Sequence, residues 1–325
     1  MGAAFSNFRH TIWPMATQMY PPKSKFSVDQ IPDLTGRVAI VTGGNAGCGY
    51  ETVKALLRHN AKVYLAARSK TKADAAIASL KELTGKEAIF LELDLASLAS
   101  VKRSAQEFLH EESELHILFN NAGVMRSPLD QVAQDGYDLQ WGTNVVGPFY
   151  FTELLMPALL AGVKTSPDHH ARIVTTSSIV AYVETLHYET FKDGPERRKM
   201  STQALYHQSK HANVIVARQV AKRYADRGIV SISANPGNLD TDLLRYFPPL
   251  QLIFLKYFVL YPTRFGALTQ LFAGTMPEAI NYNGEFMIPW ARLGKCRPEA
   301  YDDAVGERLW KWLEDEVKSF EARQQ

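Results

Sequence analysis

A glycine-rich turn between a predicted strand and a predicted helix places the strongest constraint on the fold of this chain. The apolar run Val38–Val41 is typical of a strand, and Gly49–His59 carries its apolar residues at helical spacing. The turn between them, Thr42–Gly49, reads TGGNAGCG. Glycines let a backbone turn tightly and approach a phosphate closely, and the following helix offers unpaired N–H groups and a positive dipole end. The turn therefore predicts a dinucleotide phosphate site; a purely structural turn is the alternative.

Short apolar runs alternate with helical patterns along most of the chain. We predict strands at Val38–Val41, Lys62–Ala66, Ala88–Leu93, Leu115–Asn120, Ala171–Thr176, Val230–Asn235 and Glu285–Ile288. We predict helices at Gly49–His59, Lys70–Leu83, Leu98–Glu111, Gly136–Leu160 and Ala204–Tyr224. Nearly continuous apolar strands that alternate with helices indicate a parallel sheet covered on both faces, and right-handed crossovers make it doubly wound. We expect an α/β fold with a mostly parallel seven-stranded sheet.

The length of 325 residues would by itself suggest two domains. No linker divides the alternating pattern into two independent parts, so we predict one domain over residues 36–325. Residues 1–35 form an N-terminal extension, in which Phe5–Met19 could be a short helix. The domain includes an apolar lid at residues 242–265 and a C-terminal helix at residues 302–322.

Charge and cysteine content exclude several classes of protein. The chain has 36 Lys and Arg against 34 Asp and Glu, a net charge of +2, which gives no reason to expect nucleic acid. Its hydrophobic share of 46% is that of a globular chain. Cys48 and Cys296 cannot form a disulfide framework, and no Cys/His cluster has metal-ligand spacing. We therefore predict a cytoplasmic protein without a metal site.

Two features leave contact with a membrane surface open. No apolar run reaches the length of a span, and Leu250–Tyr261, bounded by prolines, suits a buried or interfacial helix better. The N-terminal sequence Met1–Ser6 matches the loose pattern for myristoylation at Gly2. An unmodified N-terminus is the alternative. Peripheral membrane contact is thus an open expectation.

Several motifs in one order resemble those of a known family. The turn has the spacing Thr-Gly-x-x-x-Gly-x-Gly, Asn120–Gly123 reads NNAG, Tyr206 and Lys210 form Tyr-x-x-x-Lys, and Pro236 and Gly237 follow the sixth strand. This set resembles the classical short-chain dehydrogenases/reductases over about Gly36–Met287, and most of all the retinol-dehydrogenase-like branch with its fungal members. The resemblance implies a Rossmann-type domain and an oxidoreductase. Extended epimerases and dehydratases usually have a different glycine spacing.

The end of the second strand bears on the cofactor. An acidic residue there would bind the ribose 2′-OH of NAD, but this chain has Arg68 and Ser69, which can bind a 2′-phosphate. We predict NADP(H); stacking of Arg68 on adenine in a cofactor-tolerant enzyme is the alternative. The resemblance implies cofactor contacts from Gly43, Asn45, Gly47, Cys48, Gly49, Arg68, Ser69, Asp94, Leu95, Asn121, Ala122, Gly123, Tyr206, Lys210, Pro236, Gly237 and Thr241.

The predicted catalytic residues surround Tyr206. Lys210 lies one helical turn further along, and its ammonium is expected to lower the pKa of the phenol. By resemblance Tyr206 transfers a proton and Ser178, with Ser177 as its competitor, holds the substrate oxygen. Asn144 resembles the asparagine that supports a proton relay to the lysine, although it could instead cap or kink its helix.

Two segments depart from the common pattern. Val183–Ser201 is longer than in many family members and is charged, so it either shapes the substrate entrance or is only a solvated loop. Asp242–Phe265 is apolar and takes the place of a substrate lid; a helix packed on the core is the alternative.

These features together predict an NADP(H)-dependent oxidoreductase that acts on a carbonyl or alcohol of a lipophilic small molecule, with secondary metabolism as a candidate setting. The alternative is a non-catalytic NADP(H)-binding regulatory or interaction protein. Such proteins commonly lack the tyrosine or the lysine, and here Tyr206 and Lys210 are both present. A homo-oligomer is left open.

Overall fold

The computed structural model describes residues 13–324, and among them eight strands form one sheet. The strands are β1 (Val38–Thr42), β2 (Lys62–Ala67), β3 (Ile89–Glu92), β4 (Ile117–Asn120), β5 (Ala171–Thr176), β6 (Ile229–Ala234), β7 (Phe286–Ile288) and β8 (Arg292–Gly294). Their order is β3-β2-β1-β4-β5-β6-β7-β8, and every neighbouring pair is parallel except β7 with β8. The predicted parallel α/β sheet is confirmed. It has one strand more than predicted, because β8 is too short and too exposed to give an apolar run.

The described helices follow the strands in the predicted alternation. They are α1 (Trp13–Met19), α2 (Gly47–Arg58), α3 (Lys70–Thr84), α4 (Leu98–Glu111), α5 (Leu139–Thr165), α6 (Pro195–Lys199), α7 (Thr202–Tyr224), α8 (Pro249–Phe258), α9 (Thr263–Thr275) and α10 (Asp303–Ala322). Helix α5 begins three residues later than predicted, because the Asp138 side chain caps it by accepting from the N–H groups of Gln140 and Trp141.

A buried apolar core lies on each face of the sheet. In β1, Ile40 belongs to one core, whereas Ala39 and Val41 belong to the other. Successive strand residues point to opposite faces, so a strand covered on both sides must be apolar throughout. Helices α4, α5, α7 and α10 contribute to the first core, and α2, α3 and α9 to the second.

Helix α5 is the one helix among the described residues that is long and apolar enough to cross a membrane. Of its most apolar stretch, 72% is buried inside the protein. Phe149 and Tyr150 pack edge-on against Trp310 and Phe320 of α10, with ring centres 5.0 and 5.9 Å apart. Packing within the protein therefore accounts for the apolar composition of this helix.

The described part of the N-terminal extension packs onto the domain. Phe26, Ile31 and Leu34 are buried in one of the two cores, and Phe26 meets Phe272 of α9 edge-on at 5.5 Å. The division at residue 35 stays a prediction. The myristoylation pattern at Gly2 and the first part of the predicted helix Phe5–Met19 lie outside the described residues.

Candidate active site

A cavity of about 1170 Å³ lies beyond the carboxyl ends of the strands, where the strand order reverses between β1 and β4. Three of the predicted catalytic residues line it: Ser178, Tyr206 and Lys210. The predicted cofactor residues on its wall are Gly43, Asn45, Gly47, Cys48, Gly49, Arg68, Ser69, Asp94, Leu95, Asn121, Ala122, Gly123, Pro236, Gly237 and Thr241. The structure thus brings together every predicted site residue except Asn144.

The glycine-rich turn forms one end of the cavity. Gly43 has a φ of 67°, and a Cβ on Gly49 would lie 2.3 Å from the carbonyl oxygen of Gly43, so neither position accepts a side chain without strain. Helix α2 starts directly after the turn, and Ala46 provides no side-chain cap for its first N–H groups. Uncapped N–H groups and a positive helix end fit a phosphate group.

Thr42 and Asn121 join the ends of β1 and β4 beside this turn. The Thr42 hydroxyl accepts from the backbone N–H groups of Asn121 and Ala122 at 3.0 and 2.9 Å. The Asn121 amide donates to Thr42 O at 2.8 Å and accepts from Gln270 at 3.3 Å. The positioning roles of Thr42 and Gln270 were not predicted from the sequence. A hydroxyl residue at the end of β1 was a usable clue to Thr42, whereas nothing local pointed to Gln270.

Arg68 and Ser69 line the cavity where β2 ends, next to the glycine-rich turn that follows the neighbouring strand β1. Ser69 caps α3, since its hydroxyl accepts from Lys72 N at 3.5 Å. Arg68 is exposed, and within residues 13–324 it has no hydrogen bond or ion pair with another side chain. A guanidinium and a hydroxyl therefore stand side by side at the end of β2.

Ser178, Tyr206 and Lys210 lie together on the wall between β5 and α7. The Lys210 ammonium is 5.8 Å from the centre of the Tyr206 ring and donates to Thr176 O at 2.9 Å. Ser178 caps the short helical turn Ile179–Tyr182 by accepting from Val180 N at 3.4 Å. The neighbouring Ser177 is buried, and its hydroxyl donates to Lys210 O at 2.6 Å. This contact leaves Ser178 as the better placed of the two serines.

Burial determines how Tyr206 and Lys210 titrate. It lowers the pKa of Lys210 to about 8 and raises the pKa of Tyr206 to about 12, although the Ser178 hydroxyl acts in the opposite direction. The predicted fall in the pKa of Tyr206 is therefore wrong in this structure. Desolvation disfavours the charged forms of both side chains, the phenolate of Tyr206 and the ammonium of Lys210. At neutral pH the phenol keeps its proton and can donate it.

Asn144 lies behind the cavity wall, in the π-helical turn Gly142–Val146 of α5. Its carbonyl oxygen accepts from Val124 N at 2.8 Å, and its amide donates to Val124 O and to Ser209 Oγ at 3.0 Å each. A Cβ on Gly123 would lie 3.0 Å from the Asn144 oxygen and 3.4 Å from the Lys210 ammonium. Asn144 thus holds the loop after β4 close to Lys210, and a catalytic role for it stays a prediction.

The segment Val183–Ser201 is anchored by one buried charge, while the side chains of Lys192, Glu196 and Arg198 are more than half exposed. Arg197 is 1% exposed and donates to Asp138 at 2.9 Å, to Asp193, and to the carbonyl oxygens of Leu129 and Gln131. Burial raises the pKa of Asp138, and the Arg197 guanidinium offsets part of that rise. The solvated interpretation agrees with these exposed side chains and is wrong for Arg197, because sequence cannot show that its charge has a buried partner. No residue of the segment lines the cavity.

The lid forms part of the cavity wall. Its lining side chains include Leu243, Leu244, Phe247, Leu255 and Leu260. The Arg126 guanidinium lies 3.8 Å above the Phe247 ring. Thr241, directly before the lid, lies close to the glycine-rich turn, because a Cβ on Gly47 would meet it at 3.3 Å. The lid is therefore a largely apolar part of the cavity wall. This agrees with the predicted substrate lid and not with a helix that only packs on the core.

The described residues contain no group of three or more His, Cys, Asp or Glu side chains that could hold a metal ion. The two most buried histidines have structural contacts instead. His116 Nδ1 accepts from Val38 N at 3.0 Å, and His211 Nδ1 lies 3.0 Å from Ala181 O.

Comparisons with known proteins agree with this geometry. The family model described as short chain dehydrogenase matches residues 37–249. A short-chain dehydrogenase/reductase of Armillaria gallica is 58% identical over 308 residues, which are 95% of this chain and 99% of the relative. Another, of Phomopsis amygdali, is 37% identical and covers 93% of this chain and 96% of its own length. A solved structure of an uncharacterised protein of Mycobacterium paratuberculosis has a TM-score of 0.70 and 27% identity, and covers 91% of this chain and 98% of its own.

The matched region contains both the glycine-rich turn and the Tyr206–Lys210 pair, and the relatives extend over nearly the whole length of the chain. The parallel α/β sheet, the cavity at its carboxyl edge and the motif residues in the family's order therefore occur together in this chain. The chain belongs to the short-chain dehydrogenase/reductase family of oxidoreductases, which bind a nicotinamide cofactor.

Proposed function

We propose that this protein is an NADP(H)-dependent oxidoreductase that interconverts a carbonyl and an alcohol on a lipophilic small molecule. One observation carries the proposal: a single cavity joins the uncapped start of α2 to Ser178, Tyr206 and Lys210. When bound, the nicotinamide ring would supply or accept the hydride.

The side chains at the inner end of the cavity would handle the proton. Tyr206 holds its proton at neutral pH and would give it to the oxygen of a carbonyl. The Ser178 hydroxyl would hold that oxygen by a hydrogen bond. The Lys210 ammonium, 5.8 Å from the ring centre, stabilises the negative charge that Tyr206 carries after it has lost the proton.

The other end of the cavity would select the phosphorylated cofactor. The start of α2 and the glycine-rich turn would hold the pyrophosphate. Arg68 and Ser69 would hold the 2′-phosphate, since a guanidinium forms paired hydrogen bonds with phosphate oxygens. No acidic side chain follows β2 to bind a free ribose hydroxyl, which supports NADP(H) over NAD(H).

The lid supports a lipophilic substrate and peripheral contact of a cytoplasmic protein with a membrane. Leu255 of α8 lines the cavity, and Ile253 and Tyr257 of the same helix are 55% and 82% exposed. A helix with apolar residues on both sides can line a substrate cavity and touch an apolar surface at once.

Replacement of Tyr206 by Phe tests the catalytic proposal. The hydroxyl is the proposed proton donor, so Tyr206→Phe is expected to lower kcat by about a thousandfold, within the usual range for general acid–base catalysis. The affinity for NADPH, measured by the fluorescence of the bound nicotinamide, is expected to stay unchanged. Tyr282→Phe, a half-buried tyrosine far from the cavity wall, is the matched control.

Two outcomes would contradict the catalytic proposal. Full turnover in Tyr206→Phe would remove Tyr206 from the mechanism. A wild-type protein that binds NADPH but oxidises it with no member of an aldehyde and ketone panel would favour the regulatory alternative.

Replacement of Arg68 by Ala tests the choice of cofactor. Loss of a charge-assisted contact with phosphate is expected to weaken NADPH binding by about ten- to a hundredfold, while NADH binding stays the same. Equal weakening of both cofactors would instead support stacking of Arg68 on the adenine.

A further inference from the structure

The side chain of Gln18 lies between two loops of the active site, although it belongs to α1 in the N-terminal extension. It is 1% exposed. Its amide donates to the hydroxyl of Tyr182 at 3.1 Å, and its carbonyl oxygen accepts from the amide of Asn235 at 2.9 Å. These partners stand 164 and 217 positions further along the chain. A residue outside the predicted domain therefore connects two parts of the site.

The first contact leads to the catalytic serine. Tyr182 ends the short helical turn that Ser178 caps, and its hydroxyl also donates to Lys295 O. The carbonyl of Ala181, in the same turn, lies 3.0 Å from His211 Nδ1. Ser178 and Tyr182 stand at the two ends of this short turn, so the contacts of Tyr182 help to hold the turn that Ser178 caps.

The second contact leads to the loop after β6. The Asn235 carbonyl oxygen accepts from Gly237 N at 2.9 Å, and Pro236 and Gly237 line the cavity. An asparagine amide can be turned either way, and a donor or an acceptor beside it decides which. The Gln18 oxygen requires the NH₂ group of Asn235, so the Asn235 oxygen must face Gly237.

The Gln18 amide has a partner for each of its polar atoms. Besides Tyr182, its NH₂ group donates to Pro14 O at 3.0 Å, and Arg292 holds the same helix by donating to Thr17 O at 3.1 Å. Tyr182 and Asn235 are 2% and 1% exposed, so their hydrogen bonds with Gln18 lie away from bulk solvent. An unpartnered buried amide would turn or shift its loop to find another partner.

We propose that Gln18 is a positioning residue for the part of the site that would hold the nicotinamide. This proposal rests on the proposed function, which assigns the nicotinamide to that part. By holding Tyr182 and Asn235, it sets the positions of Ser178 and of the Pro236–Gly237 loop. The extension is thus part of the catalytic apparatus and more than a tether.

A comparison of two ligands on Gln18→Met tests this role. Methionine keeps the length of the side chain and removes its polar atoms. NADPH probes the whole cofactor site, and adenosine 2′,5′-bisphosphate probes only the end with Arg68. We expect NADPH binding to weaken and kcat to fall by about tenfold each, the effect of one lost buried hydrogen bond. We expect binding of adenosine 2′,5′-bisphosphate, by calorimetry, to be unchanged.

Gln30→Met is the matched control, because Gln30 lies in the same extension and its side chain bonds only Ser27 at an exposed turn. It is expected to behave as the wild type in every assay. Unchanged NADPH binding and kcat in a folded Gln18→Met variant would overturn the proposal. Equal weakening of both ligands would also overturn it, since that indicates general loosening.

If the Gln18→Met variant does not fold, Tyr182→Phe is the variant that tests the proposal. It removes a single hydroxyl and keeps the contact between Gln18 and Asn235. We expect a fall in kcat of a few fold with unchanged NADPH binding, and an unchanged kcat would overturn the proposal. A wild-type protein that does not bind NADPH refutes the proposed function, whereas normal wild-type binding with an unaffected Gln18→Met refutes only the role of Gln18.

Discussion

The two segments that depart from the regular strand–helix alternation are held in opposite ways. Val183–Ser201 is fixed from inside by Arg197, which is 1% exposed and has hydrogen bonds to two carboxylates and two carbonyl oxygens. The lid, residues 242–265, leaves Ile253 and Tyr257 exposed. Its ion pair between Lys256 and Asp240, at 3.2 Å, is about half exposed on both sides.

This difference separates a fixed segment behind the site from an adjustable wall of the cavity. Asp138, which Arg197 holds, caps the helix that carries Asn144, so the charged segment braces the inner end of the site. The lid contacts the substrate cavity and has few buried polar contacts. Regions with few buried contacts are the ones that open most readily. We therefore expect changes in Val183–Ser201 to alter stability and changes in the lid to alter substrate affinity.

The largest expected effect is that of Arg197→Met. It leaves the buried Asp138 carboxylate without its cation, and broken buried pairs typically cost about 3–5 kcal/mol. Urea unfolding followed by circular dichroism measures the loss. Arg198→Met is the matched control, since the neighbouring Arg198 side chain is 63% exposed and should contribute about 0.5 kcal/mol or less. A loss of under about 1 kcal/mol in Arg197→Met would remove the distinction between the two segments.

A slightly smaller loss of stability is expected when acid protonates His211, whose side chain contacts the turn after Ser178. Burial lowers the pKa of His211 from 6.5 to about 4, so the unfolded chain binds a proton that the folded chain does not. Stability should therefore fall as the pH drops from 6.5 to about 4, by about 3 kcal/mol. His211→Gln should lose that part of the pH dependence. Parallel stability–pH curves for the variant and the wild type would contradict the assignment.

The variant Lys210→Met is expected to be more stable than the wild type. Burial lowers the pKa of Lys210 to about 8, so at neutral pH folding must desolvate a charge. Thr176 O keeps the amide of Asn213 as a partner at 3.1 Å. We expect a gain of about 2 kcal/mol in urea unfolding together with loss of turnover. A less stable variant would show that the Lys210 contact outweighs its desolvation.

The smallest effect on stability is expected in the lid. Phe247→Ala removes the ring under Arg126, a half-exposed contact that contributes about 0.5–1 kcal/mol. We expect KM for a lipophilic carbonyl to rise several fold while kcat stays the same. A loss of stability comparable to that of Arg197→Met would show that the lid is as fixed as the segment Val183–Ser201.

The regular part of the fold was predictable from sequence because each element carries its own pattern. Strand β5 and helix α4 were predicted with their observed bounds, since apolar runs and helical spacing are local properties. Asn144 and Arg197 were harder. Their surroundings depend on residues such as Val124 and Asp138, and no local pattern shows which buried group a polar side chain meets. The same reason hid Gln18, whose partners lie far along the chain.

The close approach of Gly49 to Gly43 has a consequence for redesign of this enzyme. Gly49, where a single methyl group would meet backbone at 2.3 Å, has no side chain to exchange, so directed evolution has little to select there. Arg68, at the end of the neighbouring strand β2, is exposed, so substitutions there should cost little stability while they change cofactor binding. Laboratory switching of the coenzyme should therefore start from the residues after β2 and leave the turn untouched.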